Sequence, residues 1–360
     1  MKTKSICLLL SVVLLGFSKQ SPVVGHSPDT PVAPTPSATA DEFPAHVVRT
    51  AEDIEQAEIS HQAQSLLSAG GYEGLEALAA KYRTSQESYA NGMWKLSYYY
   101  DGLEPGRNEA EPAWQAQLKL LRDWNQNKPD SVTARVALGR FWIEYAWKAR
   151  GGGWANTVTE EGWREMSDRL EKAAQSLREA GRMKERCPVL WSSLLRFALG
   201  NEKDRTEYDQ MFNQSIAEFP DYEPYYNSRA VFLLPRWYGE DGEWVRDLTT
   251  CADRVGGEKG DMIYAQVVWS IHHYGERIDV FDEKAKVKPS WERIDRGFTA
   301  ILKRSPDSMA AKNERAHLAA LAGEREAARK YFAETKGEVD LNSWAAQGEY
   351  EEAYHWANAP

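Results

Sequence analysis

Apolar residues recur at helical spacing over most of the chain beyond residue 46, whereas the alternation typical of strands is scarce. Glycine or proline interrupts this pattern at intervals of about one helix. Near the C-terminus, Ser305-Pro306-Asp307-Ser308 precedes a helix-forming run to Gly323, and a second run extends from Glu324 to Glu334. Asp307 or Ser308 is suited to cap the first helix, and Gly323 is suited to form the turn. This segment therefore predicts two antiparallel helices.

Proline steps of this kind recur along the sequence. Pro129 precedes a helical run from Val132 to Ala149, and Pro188 precedes a run from Val189 to Leu199. Pro188 and Pro220 are 32 residues apart, which is close to the tetratricopeptide (TPR) period of about 34 residues. Helical pairs that bury a face only against neighbouring pairs explain such spacing. We predict an all-α fold, a TPR-like α-solenoid of antiparallel helical hairpins with Gly/Trp-rich inserts, over residues 47–360.

Two inserts depart from the repeat. The first runs from Tyr145 through Gly151-Gly152-Gly153 to Trp163, and the second runs from Leu233 to Trp244. Tryptophan, tyrosine and arginine dominate the energetic centres of protein interfaces, so residues of these types in the inserts are candidates to bind a partner. They are Tyr145, Arg150, Trp154, Arg236, Trp237 and Tyr238. The alternative is that the indoles fill gaps where helices break, while the arginines pair with nearby carboxylates.

The same segments resemble a known family. Ala149-Arg150-Gly151-Gly152-Gly153-Trp154, Leu234-Pro235-Arg236-Trp237-Tyr238-Gly239, the run from Gly256 to Tyr264, and Gly297-Phe298 occur in this order. Over roughly residues 85 to 335 the sequence is similar to the bacterial "domain of unknown function 4034" family. The resemblance implies a TPR-like helical domain. It implies no activity and assigns no functional residue.

The first residues have the pattern of a secretory signal peptide, with Lys2 and Lys4 before an apolar run from Ile6 to Phe17. We predict a signal peptide over residues 1–18 and a Pro-rich disordered linker over residues 19–46. The apolar run is shorter than the roughly 20 residues that span a bilayer, and an uncleaved anchor is the alternative. The expected location is the periplasm or the cell exterior, without membrane insertion after removal of the signal.

Cysteine and histidine give two further expectations. Cys187 and Cys251 lie beyond the predicted signal peptide, and in an oxidising compartment they form either a disulfide or two buried free thiols. Their Cα separation, which decides between these alternatives, cannot be obtained from sequence. His272-His273 is the only histidine pair. Adjacent helical residues point about 100° apart, so no metal site is expected.

Charge and motifs limit the function. The formal net charge of -10 disfavours nucleic acid as a partner, since phosphate binding depends on clustered lysine and arginine. No nucleophile elbow, phosphate loop, zinc-spacing motif or dinucleotide fingerprint is present, so neither a catalytic residue nor a cofactor is expected. The leading hypothesis is an exported non-catalytic scaffold that binds a protein or peptide. The alternatives are an envelope hydrolase acting on glycans or peptides, with a site formed by the inserts, and a purely structural envelope component.

Overall fold

The computed structural model describes residues 44–201, 204–275 and 277–359. The predicted signal peptide and residues 19–43 of the predicted linker lie outside these ranges. The part of the protein that is described contains fifteen α-helices, one short 3-10 turn (Ala155–Thr157) and two short strands, β1 (His46–Val48) and β2 (Glu338–Asp340). The helices are α1 (Ala51–Ser68), α2 (Tyr72–Ser85), α3 (Lys95–Asp101), α4 (Glu111–Asn127), α5 (Val132–Arg150), α6 (Glu160–Gly181), α7 (Pro188–Gly200), α8 (Arg205–Glu218), α9 (Pro224–Phe232), α10 (Glu243–Val255), α11 (Gly257–His272), α12 (Trp291–Arg304), α13 (Met309–Leu321), α14 (Arg325–Thr335) and α15 (Gln347–Asn358).

Short polar side chains begin several of these helices. Thr50 and Asp53 form a capping box at the start of α1, in which each side chain accepts a hydrogen bond from the other residue's backbone N–H. Of the two caps predicted for α13, the structure uses Ser308, whose hydroxyl accepts a hydrogen bond from the following turn. Gly323 has a φ of 76°, a left-handed conformation that glycine adopts without strain. The turn predicted between α13 and α14 is confirmed.

Consecutive helices pack against each other along most of the sequence, most extensively in the pairs α5–α6, α11–α12 and α13–α14. The closest approaches occur at glycines. A Cβ atom on Gly297 of α12 would collide with the backbone of Asp261 in α11, and one on Gly139 of α5 would collide with Leu177 of α6. The all-α prediction is confirmed by these helices. Regular solenoid stacking stays a prediction.

Contacts between distant parts of the sequence were not predicted. Strands β1 and β2 pair in parallel, with Val47 opposite Val339. Asn342 Nδ2 donates to Asp53 Oδ1 over 2.7 Å, which joins the segment after β2 to the first helix. Farther along, Gln266 of α11 donates to the carbonyl of Ala90 over 2.8 Å. Nearest-neighbour stacking alone does not produce these contacts.

One large hydrophobic core extends from Ile59 in α1 to Leu318 in α13, and a second cluster forms around Trp344 near the C-terminus. Much of the aromatic content lies in these two clusters, where Trp114, Trp124 and Trp344 are fully buried. Burial of such large side chains contributes strongly to folding. Within the described residues, no helix has both the length and the apolar character needed to cross a membrane.

Candidate functional site

The first insert begins where α5 ends. Gly151, with a φ of 74°, takes the backbone out of the helix. Arg150 Nη1 donates to the carbonyls of Gly151 and Gly153 over 3.2 and 3.0 Å. The glycine turn thus curls around the guanidinium, and Trp154 follows directly.

The second insert is a tight loop after α9. The backbone N–H of Trp237 donates to Leu234 O over 2.8 Å, and that of Tyr238 donates to Phe232 O over 3.1 Å. Gly239 lies so close to the carbonyl of Leu233 that a Cβ atom would overlap it. On this loop Arg236 is exposed, whereas Trp237 is half-buried.

The two inserts meet in space. Arg150 Cζ lies 5.4 Å from the ring centroid of Trp163 and 5.8 Å from that of Trp237. Arg236 Cζ lies 5.6 Å from the centroid of Trp154 and 5.7 Å from that of Trp237. Separations of this size allow cation–π attraction. We call this group the Trp–Arg cluster, and its members are Trp147, Arg150, Trp154, Trp163, Arg236, Trp237 and Tyr274.

The cluster is fixed on one side and open on the other. Trp237 is half-buried and packs edge-on against Trp147, with ring centroids 5.7 Å apart. Its Nε1 donates to the hydroxyl of Tyr274 over 2.9 Å. On the outer side, Trp154 is 68% exposed and Arg236 is also exposed. The Trp237 ring is therefore held in place by its contacts, while Trp154 and Arg236 remain accessible to solvent.

The arginines of the cluster have no carboxylate partner among the residues that the structure describes. Burial lowers the pKa of Arg150, and the nearby positive charge of Arg236 lowers it further. Two like charges held this close, without a counter-charge, favour an anionic group between or above them. The alternative in which these arginines pair with neighbouring carboxylates is therefore not found within the described ranges.

A charged cavity of 230 Å³ lies beside the cluster. Its charged lining consists of Asp101, Glu104, Arg140, Glu144 and Arg196, and Met93, Ile143 and Pro224 supply apolar surface. Arg140 Nε donates to Glu104 Oε1 over 2.6 Å, and its Nη2 donates to Asp101 Oδ1 over 2.7 Å. Burial raises the pKa of Glu104 to about 7, although Arg140 opposes the shift.

One tryptophan joins the cavity to the cluster. Glu144 accepts hydrogen bonds from Arg196 Nε and Arg107 Nη2, each over 3.0 Å. Arg196 Cζ lies 4.7 Å from the ring centroid of Trp147, and Arg150 Cζ lies 5.6 Å from the same centroid. The two sites therefore share an indole.

Residues 62–200 match the model of a family described as "Domain of unknown function (DUF4034)". This part of the protein is similar to the DUF4034 family. The resemblance inferred from sequence is confirmed over residues 85–200, where the two ranges overlap, and it stays a prediction for residues 201–335. No curated protein matches the sequence.

The matched segment, residues 62–200, supplies part of the site. It contains the first insert, with Arg150 and Trp154, and the charged side chains of the cavity. Arg236, Trp237 and Tyr274 lie beyond its matched end at residue 200. The Trp–Arg cluster is thus built jointly by the matched segment and the part of the protein that follows it.

Two of the candidates lie apart from the cluster. Tyr145 is only 3% exposed; its ring stacks on Trp114 at 5.0 Å, and Arg169 Cζ lies 3.6 Å from its centroid. Tyr238 is 37% exposed, but its ring stacks on Phe232 with centroids 4.7 Å apart. The structure thus brings together four of the six candidates, Arg150, Trp154, Arg236 and Trp237, and it adds Trp147, Trp163 and Tyr274.

Cys187 and Cys251 are free and buried, so the disulfide alternative is not formed. Cys187 Sγ lies 3.4 Å from the hydroxyl of Tyr100, whereas Cys251 Sγ lies 3.7 Å from Asp247 Oδ2. Burial raises the pKa of Cys251 to about 12, which keeps it a thiol at neutral pH. Each cysteine fills a separate position in the core.

His272 and His273 lie near His317, and the ring centroids of His272 and His317 are 5.0 Å apart. Burial lowers the pKa of His273 to about 4 and that of His317 to about 3. These two rings are therefore neutral at physiological pH. Over the described ranges, no group of three or more His, Cys, Asp or Glu residues is arranged to hold a metal ion.

Proposed function

We propose that this protein is a non-catalytic helical scaffold that binds a protein or peptide partner through the Trp–Arg cluster. The observation that carries the proposal is the pair Arg150 and Arg236. Both guanidiniums are held by aromatic rings, and neither has a carboxylate partner in the described ranges. We further propose that binding takes place after export, in the periplasm or outside the cell, and no cofactor enters the proposal.

The chemistry of the cluster favours a partner segment that carries a carboxylate. A guanidinium offers a planar fork of donors that matches the two oxygens of Asp, Glu or a C-terminal carboxylate. Trp154 and Trp163 supply exposed indole surface next to that fork. Indole and guanidinium groups contribute much of the affinity in protein interfaces when water is excluded around them. An acidic residue beside an apolar residue therefore fits the cluster.

The test uses the purified protein, a peptide display library and the double variant Arg150→Gln/Arg236→Gln. The wild-type protein is expected to enrich peptides that carry Asp, Glu or a free C-terminal carboxylate next to an apolar residue. The double variant is expected to bind the enriched peptides at least about tenfold more weakly, since charge-assisted hydrogen bonds are lost. Binding is measured by titration of tryptophan fluorescence.

Arg164→Gln is the matched control. Arg164 is an exposed arginine one residue beyond Trp163, but it pairs with Glu161, so its removal is expected to leave peptide binding unchanged. Enrichment of neutral or basic peptides, or equal affinity of the double variant and the wild type, would contradict the proposal. Retention of no partner from the cell envelope fraction after crosslinking would count against it as well.

A hydrolase with a site formed by the inserts has less support. Acid–base cleavage of glycans or peptides requires a carboxylate or histidine within hydrogen-bonding distance of the scissile bond. Within the described ranges, the contacts of the Trp–Arg cluster involve arginines, aromatic rings and backbone carbonyls. A purely structural role is favoured only if the double variant and the wild type behave alike in every binding measurement.

A further inference from the structure

Both the arginines and the carboxylates that line the charged cavity have atoms that make no hydrogen bond within the described residues. Arg140 uses Nε and Nη2 for Glu104 and Asp101, and Arg196 uses Nε for Glu144. In the part of the protein that is described, Arg140 Nη1 and both terminal nitrogens of Arg196 have no hydrogen bond to the protein. The second carboxylate oxygens, Asp101 Oδ2 and Glu104 Oε2, likewise have no hydrogen bond to the described residues. The residues that line the cavity therefore include unused donors as well as unused acceptors.

The charge balance selects the kind of ligand. Each carboxylate of the lining already pairs with an arginine, at distances of 2.6 to 3.0 Å. A charged ligand bound to the unused atoms would meet like charges, because an anion would face the paired carboxylates and a cation would face the paired guanidiniums. A hydroxyl group both donates and accepts. It can therefore bind to the unused atoms while every ion pair stays intact.

The volume and the apolar residues of the cavity restrict the possible ligands further. At 230 Å³ the cavity is below the roughly 300 Å³ at which sites for drug-sized ligands begin. Met93, Ile143 and Pro224 give it an apolar side that suits the C–H face of a small ring. These properties together match a compact molecule with several hydroxyl groups and no charge.

We propose that the charged cavity binds a neutral polyhydroxylated small molecule of the size of one sugar ring. The ligand's hydroxyls donate to Glu104 and Asp101 and accept from Arg140 and Arg196, while its C–H groups lie against Ile143. This site is separate from the surface proposed to bind a peptide, although both contact Trp147.

The experiment measures binding of D-glucose, D-galactose, N-acetylglucosamine and myo-inositol to the wild-type protein. Saturation-transfer NMR detects binding and calorimetry gives the affinity. At least one of these polyols is expected to bind. Arg196→Met is expected to weaken that binding at least about tenfold, because it removes donors to the ligand. Glu104→Gln, which keeps the size of the side chain, is expected to weaken it several-fold and decides the question if Arg196→Met does not fold.

Arg236→Met in the Trp–Arg cluster is the matched control, and it should leave polyol binding unchanged while weakening peptide binding. The two proposals therefore fail separately. Glycine, glutamate and inorganic phosphate serve as charged probes. The proposal is overturned if no polyol binds, if a charged probe binds more tightly than every polyol, or if the folded cavity variants bind as the wild type does.

Discussion

Arg196 of the charged cavity and Arg150 of the Trp–Arg cluster both contact Trp147, and the surroundings of the two arginine pairs differ in one respect. Arg140 and Arg196 donate to carboxylates over 2.6 to 3.0 Å. Arg150 and Arg236 contact aromatic rings, and Arg150 also donates to backbone carbonyls. The same residue type is thus paired with carboxylates in the charged cavity and has no carboxylate partner among the described residues in the Trp–Arg cluster.

The difference separates arginines that pair with carboxylates from arginines that contact only aromatic rings and backbone carbonyls. A partly buried carboxylate loses much of its hydration, and the guanidinium beside it compensates for that loss. An arginine held only by rings and carbonyls keeps a full charge without a counter-charge. Burial alone does not make this distinction, since Arg150 is itself partly buried. The identity of the neighbouring group makes the distinction.

The largest expected effect concerns the stability of the two arginine sites. Arg140→Met leaves Glu104 and Asp101 without their partner, and we expect the free energy of unfolding to fall by about 3 kcal/mol. This is the lower end of the range for buried pairs, because Asp101 is nearly half exposed. Arg236→Met loses only exposed cation–π contacts and should cost less than about 1 kcal/mol. Urea denaturation of both variants measures the difference. Equal losses would mean that Arg236 is structural.

The next effect separates two tryptophans of the same cluster. Trp237 packs on Trp147 and donates to Tyr274, so Trp237→Ala should cost about 2 to 3 kcal/mol of stability. Trp154 is mostly exposed, so Trp154→Ala should change stability by less than about 0.5 kcal/mol. Trp154→Ala should nevertheless weaken peptide binding. Thermal and urea unfolding together with fluorescence titration test this, and a large loss of stability in Trp154→Ala would show that it supports the fold.

Sequence was sufficient for the helices and for part of the cluster. Helical periodicity and proline–glycine punctuation predicted the pair α13–α14 and the break after α5, because these depend on local propensity. The inserts were conspicuous because glycine and tryptophan rarely occur so densely. Tyr145 was misleading for the same reason. It belongs to the same aromatic-rich stretch, but its position on α5 faces Trp114 rather than solvent.

The remaining site residues depend on tertiary contacts. Tyr274 reaches Trp237 across 37 positions of the sequence, and no local pattern reports such a distance. Arg140 and Glu144 did carry a signal, since they lie four residues apart on a helix that is otherwise largely buried. A charged pair in such a helix must be satisfied inside the protein. Their partners Glu104 and Arg196 come from other parts of the sequence. Sequence could therefore indicate that Arg140 and Glu144 need charged partners, but it could not indicate the cavity that these residues form.

A third effect concerns pH. Glu104 has a pKa raised to about 7 by burial, with Arg140 opposing the shift and Glu144 and Asp101 adding to it. As pH rises from 6 to 8 the carboxyl ionises and becomes a stronger acceptor, so polyol affinity should increase about fivefold. Glu104→Gln should abolish this dependence. Peptide binding should stay constant over the same range, because guanidinium groups remain charged. Calorimetry at several pH values compares polyol binding with peptide binding. A polyol affinity that stays constant would show that Glu104 does not contact the ligand.

The smallest expected effect concerns salt. Salt screens exposed charges over a length of about 10 Å at 0.1 M and less at higher concentration. Raising the ionic strength from about 0.05 to about 0.3 M should therefore weaken binding of an acidic peptide to Arg150 and Arg236 by about twofold to threefold. A neutral polyol in the charged cavity has no charge to screen, and its affinity should not change. Titrations of one protein sample at both ionic strengths test this. If polyol binding falls as steeply as peptide binding, it depends on screened charges of the protein, and the contrast between paired and unpaired arginines does not determine what each site binds.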